Sequence, residues 1–201
     1  MDDDVALLER WRGGDARAGE ALFERYFDAV VRFFRNKLPD GTDDLVQRSF
    51  LACVEGRDRL RADGSFRSYL FGVAHNLLRK HFHARSADPI DFTQRSVSDM
   101  RPSPSTIVAK SRTHQLVLES LRRVPLDYQI VLELHYWEDL TAAEIAAITD
   151  VPLGTAKTRL RRGRELLLEC LVALTGGTGA SPVGDDELDQ RVQELRACLL
   201  L

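Results

Sequence analysis

The sequence predicts an all-α protein: two small helical domains joined by a flexible linker, with one further helix at the C-terminal end. Three observations carry this. From Val5 to about Arg85, and again from Ser111 to about Leu174, apolar residues recur at helical spacing, as in ALFERYFDAVVRFF and HQLVLESLRRV, which marks one face of a helix. Strand-like alternation bounded by hairpin turns is missing from both stretches. Between them, SADPIDFTQRSVSDMRPSPSTIVAK holds three prolines, many Ser and Thr residues and no sustained period, the composition of a linker. The expected divisions are residues 1–85, 86–110, 111–174 and 175–201, the last a Gly-rich tether followed by an amphipathic helix.

Composition sets the limits. With 201 residues, 44% hydrophobic and 29% charged, the chain can bury one moderate core or two small ones. The net charge of -3 means that any case for nucleic-acid binding rests on how charge is distributed. No run approaches the roughly 18 apolar residues that a membrane span requires. Met1 is followed by Asp2, Asp3 and Asp4 rather than a basic segment and an apolar core. Together these predict a cytoplasmic protein without membrane insertion. Cys53, Cys170 and Cys198 are far apart and outside any CxxC or Cys/His pair, so they are expected as reduced thiols, and neither a disulfide framework nor a metal site is expected.

The second helical stretch carries the sharpest local signal. Thr141 as N-cap, Glu144 three positions on and Leu140 against Ile145 form a capping box with a hydrophobic staple. The helix they start runs to about Thr149, DVP follows as a tight turn, and Pro152 suits the start of a second helix. Two short helices joined this way suggest a helix-turn-helix. A wheel of the second helix places Leu153, Ala156, Leu160 and Leu167 inward, Gly154, Thr158, Arg161 and Arg162 outward, and Lys157 and Arg159 at the flanks. Lys157, Arg159, Arg161, Arg162 and Arg164 form an acid-free basic run. A basic run alone also describes a solvated charged helix. The capped partner helix shifts the reading to a unit that enters the DNA major groove, where Arg reads guanine and basic flanks hold phosphates.

In the first stretch, SFRSYLFGVAHNLLRKHFHAR places Phe66, Leu70, Val73 and Leu77 on one stripe, with Arg67, His75, Asn76, Arg79, Lys80 and His83 mostly elsewhere. Interleaved aromatic and basic residues suit a surface that stacks unpaired bases and tracks phosphates. An ordinary amphipathic helix with aromatic core residues fits the same pattern. His75, His81 and His83 lack the carboxylates or cysteines a metal site would add.

The order of these segments resembles a bacterial RNA polymerase sigma factor of the extracytoplasmic-function (ECF) type, over roughly residues 1–174. ERWRGGDARAGEALFERY looks like the family's opening helix, DDLVQRSFLACV like its region 2.2 and SFRSYLFGVAHNLLRKHF like regions 2.3 and 2.4. VPLDYQIVLELHYWEDLTAAEIAAITDVPLGTAKTRLRRGRELL looks like region 4. The resemblance implies that Asp44, Gln47 and Arg48 meet the polymerase clamp, although the family commonly carries an acid where Arg48 stands. It implies that Ser65, Phe66, Arg67, Tyr69, Asn76, Arg79 and Lys80 lie near the separated strand of the -10 element, with Tyr69 at a usual tryptophan position. It further implies that Gly154, Thr155, Lys157, Thr158, Arg161 and Arg162 read the -35 element while region 4 rests on the polymerase flap. The implied partners are core RNA polymerase and promoter DNA, with an anti-sigma factor left open, and no cofactor is required.

Two other classes fit the residues less well. A helix-turn-helix regulator that is not a sigma subunit would need a receiver or ligand domain, whereas residues 1–85 show only helical periods. An enzyme would be expected to show a P-loop, HExxH, GxSxG or paired-carboxylate pattern, and none is found. At the C-terminal end, Leu188, Val192, Leu195 and Leu199 make one apolar stripe, which a helix this short would have to bury against a partner surface.

Overall fold

The computed structural model describes residues 3–38, 40–59, 65–86, 90–100, 112–175, 190 and 192–193. Regular structure among them is helical, beside one isolated antiparallel bridge between Ser96 and Pro125. The chain divides into two compact units, residues 1–89 with 147–150 and residues 90–146 with 151–201. No helix of the described residues is long and apolar enough to cross a membrane.

The first unit contains α1 (Asp4–Arg12), α2 (Ala16–Arg35), α3 (Thr42–Gly56) and α4 (Phe66–His83). Asp15 caps α2 by accepting the Arg17 N–H at 3.1 Å, and Arg10 pairs with the same carboxylate at 2.7 Å, so one residue ends the α1–α2 turn and starts the next helix. Asp4 takes hydrogen bonds from Arg25 and Tyr26 of α2. Gly19 lets the two helices close up, because a Cβ there would stand 2.5 Å from the Trp11 indole nitrogen. Trp11 in turn meets Phe23 and Phe66 edge-on, with centroids 5.3 and 6.2 Å away. The core is therefore an aromatic cluster that joins α1, α2, α3 and α4.

The second unit begins inside the stretch expected as linker. Phe92, Ser96 and Val97 are buried, and a short helix, α5 (Val97–Met100), starts at Ser96. The Ser96 hydroxyl donates to Asp99 at 2.7 Å while accepting the Asp99 N–H at 3.2 Å. The Leu126 and Asp127 N–H groups, at the start of α7 (Leu126–Tyr136), donate to the carbonyls of Arg95 and Phe92, both at 3.0 Å. Helix N-termini leave such donors without intrahelical partners, and residues 90–100 supply them with acceptors.

α7 packs against α6 (Arg112–Arg123) and α9 (Leu153–Thr175), and α8 (Ala142–Thr149) lies between α7 and α9 in the chain. Gly163 of α9 sits against Leu132 of α7, where a Cβ would stand 3.1 Å from Leu132 Cγ. Leu121, Val124, Leu132, Tyr136, Trp137 and Leu167 share one cluster, and Val192 belongs to it. Val192 is thus the described part of the C-terminal stripe; Leu188, Leu195 and Leu199 lie outside the described residues.

On α4 the expected stripe is corrected. Phe66 and Leu70 are buried, but Val73 and Leu77 are only half-buried, whereas Phe71, Ala74, His75, Leu78 and Phe82 are buried. The reason is that α4 packs against α1, α2 and α3, which demands a broader apolar face than one helical row. Cys53 is buried and Cys170 half-buried; Cys198 lies outside the described residues.

Candidate nucleic-acid and polymerase interface

The α8–turn–α9 unit is built from local chemistry. Glu144 accepts the Thr141 N–H and hydroxyl, both at 2.8 Å, and donates its own N–H to Thr141 Oγ1 at 3.3 Å. This is the reciprocal capping box expected from the sequence, with Leu140 and Ile145 both buried beside it. The turn passes through Asp150 at φ 53°, a left-handed conformation that Asp tolerates better than most residues. The Val151 N–H closes back on the Ala146 carbonyl at 3.0 Å. Pro152 follows, and its carbonyl accepts the Ala156 N–H at 3.1 Å as α9 begins.

On α9, Gly154, Lys157, Thr158 and Arg161 are exposed and Thr155 and Arg162 half-exposed. The Thr158 hydroxyl donates to the Gly154 carbonyl at 2.8 Å. Two wheel assignments are corrected. Leu153 is 44% exposed rather than inward, because it stands at the first position of the helix, ahead of the turn that packs. Arg159 is not a free flank: it pairs with Asp127 of α7 at 2.7 Å, both side chains largely buried. Arg164 donates through Nε to the Tyr136 hydroxyl at 2.7 Å. The basic run therefore splits. Arg159 and Arg164 fasten α9 to α7, and Lys157, Arg161 and Arg162 face solvent.

Arg161 and Arg162 are themselves held. Glu165 accepts from Arg161 Nη1 at 2.6 Å through one oxygen and from Arg162 Nη1 at 2.8 Å through the other, and Glu169 reaches Arg162 at 3.2 Å. The hydrogen bond from Arg162 to Glu165 leads in holding that guanidinium charged, its pKa being raised above the usual arginine value.

In the first unit, α3 presents Asp44, Gln47 and Arg48 outward, opposite buried Leu45, Ser49 and Phe50. Arg48 pairs with Asp44 across one turn at 3.4 Å. The same face continues through exposed Leu51 and Val54, which sequence reasoning missed; Phe27 of α2 is also exposed, its ring 6.2 Å from Phe50. Apolar residues on an outward row carry no periodic warning, because a helical pattern counts them toward the core.

Ser65 caps α4, accepting the Ser68 N–H at 3.4 Å. Phe66 is 1% exposed and serves the core, so its ring is not offered to a base. With Arg67 and Ser65 it lines a pocket of about 220 Å³ whose other wall is α1, from Asp3 to Arg12. Arg12 Nη2 and Arg67 Nε are buried N–H groups without a hydrogen-bond partner among the described residues. Tyr69 is half-buried over Gly56, where a Cβ would meet its hydroxyl. Asn76 and Lys80 are exposed and Arg79 half-exposed, about two and a half turns or more along α4 from Arg67.

Residues 22–87 match the family described as Sigma-70 region 2, and residues 114–167 the family described as Sigma-70, region 4. The ECF RNA polymerase sigma-E factor of Salmonella typhimurium is 28% identical over 175 residues, covering 82% of this chain and 92% of that protein. The chain is an ECF-type sigma factor of the sigma-70 family. The RNA polymerase sigma-H factor of Pseudomonas aeruginosa is 26% identical over 189 residues, covering 87% and 96%. Among solved structures, CnrH in complex with the cytosolic domain of CnrY superposes with a TM-score of 0.62 at 22% identity, covering 87% of this chain and 98% of that one. RpoE of Bartonella quintana, in complex with the anti-sigma factor NepR, gives 0.57 at 19%, covering 76% and 95%. As a sigma factor the protein binds core RNA polymerase and directs promoter-specific initiation of transcription, so a regulator built on the helix-turn-helix alone is not favoured: region 2 is present on the same chain.

Proposed function

We propose that the two units divide promoter recognition as their regions suggest. Region 4 reads the -35 element through Gly154, Thr155, Lys157, Thr158, Arg161 and Arg162. Region 2 docks on the polymerase clamp through Asp44, Gln47 and Arg48, extended by Leu51 and Val54, and meets the separated -10 strand through Ser65, Arg67, Tyr69, Asn76, Arg79 and Lys80. Phe66 takes part by setting the wall beside Arg67. In this reading the protein acts in the cytoplasm, performs no chemistry of its own and leaves RNA synthesis to the polymerase. The separated strand is stabilised by stacking and phosphate contacts. An anti-sigma factor is its regulator, as NepR is the partner of the RpoE structure that shares its fold.

The observation that carries the reading is the capped helix-turn-helix whose outward face holds Lys157, Thr158 and Arg161. The test is reconstitution with core polymerase followed by transcription from mapped start sites. Wild-type protein should direct initiation at discrete promoters. Asp44→Arg should lower holoenzyme assembly more than it lowers the thermal melt, since Asp44 is exposed and rim charges act on association. Normal assembly by that variant would remove Asp44 from the clamp contact.

A further inference from the structure

We infer that Glu165 is a specificity-determining positioning residue for promoter reading: one carboxylate that holds Arg161 and Arg162 toward base edges and away from indiscriminate phosphate binding. The inference rests on the reading that these arginines contact the -35 element.

The geometry is a three-residue bridge. Each oxygen of Glu165 takes one guanidinium, Arg161 at 2.6 Å and Arg162 at 2.8 Å, so neither arginine can swing away without stripping a carboxylate oxygen of its partner. The Glu165 side chain is 25% exposed, against 51% for Arg161 and 43% for Arg162. The carboxylate therefore lies closer to the helix than the groups it holds, and an approaching duplex meets the guanidinia first. A guanidinium carries five N–H donors in a planar fork, and pairing through Nη1, to Glu165 for Arg161 and to Glu165 and Glu169 for Arg162, leaves Nε and Nη2 for the two acceptors of a guanine edge.

Charge gives the second half of the argument. Phosphate attraction is a sum over charges and does not depend on sequence, whereas a guanine edge is neutral and is recognised by donor geometry. Glu165 and Glu169 offset two of the three outward positive charges of Lys157, Arg161 and Arg162. This weakens the sequence-blind part of binding and leaves the geometric part in place. Helix stability gains comparatively little from the arrangement, since Arg before Glu at this spacing is the weaker orientation of such a pair.

The experiment compares holoenzymes on a promoter fragment found by start-site mapping and on the same fragment with its -35 element scrambled, across a salt series. Glu165→Gln should raise affinity for the scrambled fragment about threefold or more, steepen the salt dependence by up to about one unit in log–log slope, and lower the promoter-to-scrambled ratio about fivefold. Glu165→Asp keeps the charge but is too short to bridge both arginines, so it should lower the ratio without steepening the slope. In an Arg161→Ala/Arg162→Ala background, Glu165→Gln should have no further effect on the ratio. An unchanged ratio in both single variants, or an equal weakening on both fragments, overturns the role of Glu165. An Arg161→Ala/Arg162→Ala protein that keeps the full ratio instead overturns the underlying reading of the arginines, and the positioning role falls with it.

Discussion

Arg159 and Arg162 stand three positions apart on the same helix and differ in everything but charge. Asp127 is 6% exposed and Arg159 16%, so removing the arginine alone takes the charged partner from a carboxylate that is largely out of water. Arg159→Ala should therefore cost about 3 kcal/mol, measured by urea unfolding, and the Asp127→Asn/Arg159→Ala pair should recover part of it; full additivity would show that the two do not interact. The contrast was not legible in the sequence. A wheel gives each arginine an angle, but whether a buried acceptor waits at that angle depends on α7, which is remote in the chain. Cys53 is simpler. It is fully buried, and burial pushes its thiol up to about 12. A raised pKa favours the protonated folded state below the ordinary thiol value and loses that contribution only as pH rises toward 12. At pH 8 Cys53 should resist iodoacetamide in the native protein and react once urea unfolds it; ready native labelling would contradict its burial.

Elements were readable where their signals are local. The α8 cap needs only Thr141 and Glu144, which are three residues apart, and its hydrogen bonds formed as the spacing required. Residues 90–100 were not readable as part of a fold, because they serve α7 through backbone carbonyls, and a carbonyl leaves no mark in the residue type. Their composition is that of a loop, which residues 90–96 are; what the sequence does not report is that the loop is docked and leads into α5. Close helix approach is equally silent. Gly19 reads as a helix-weakening residue, yet an added methyl would lie 2.5 to 2.8 Å from three atoms of the buried Trp11 ring. Gly19→Ala should destabilise the first unit by about 1–3 kcal/mol through overpacking, despite its better helix propensity. A stability gain would mean that α1 shifts freely on α2.

At the scale of the whole molecule, each unit has its own core, and the chain's two tryptophans report on them separately. Trp11 is buried in the aromatic cluster of the first unit, and Trp137 lies in the apolar cluster of the second. Two cores of this kind need not unfold in one step. Val192 decides whether the C-terminal stripe contributes to the second core or merely follows it. Its side chain is fully buried among Leu121, Val124, Leu132, Tyr136, Trp137 and Leu167, well along the chain from the residues proposed to read DNA. A carboxylate placed there would be desolvated, which costs several kcal/mol unless the segment leaves the cluster. Val192→Asp in a Trp11→Phe background should therefore lower the urea midpoint of Trp137 fluorescence. In a Trp137→Phe background the same substitution should leave the Trp11 midpoint where it was. A shift of both midpoints together would mean that the two units unfold as one. A shift of neither would mean that Val192 leaves the cluster at no cost, and the C-terminal stripe would then contribute nothing to the stability of region 4.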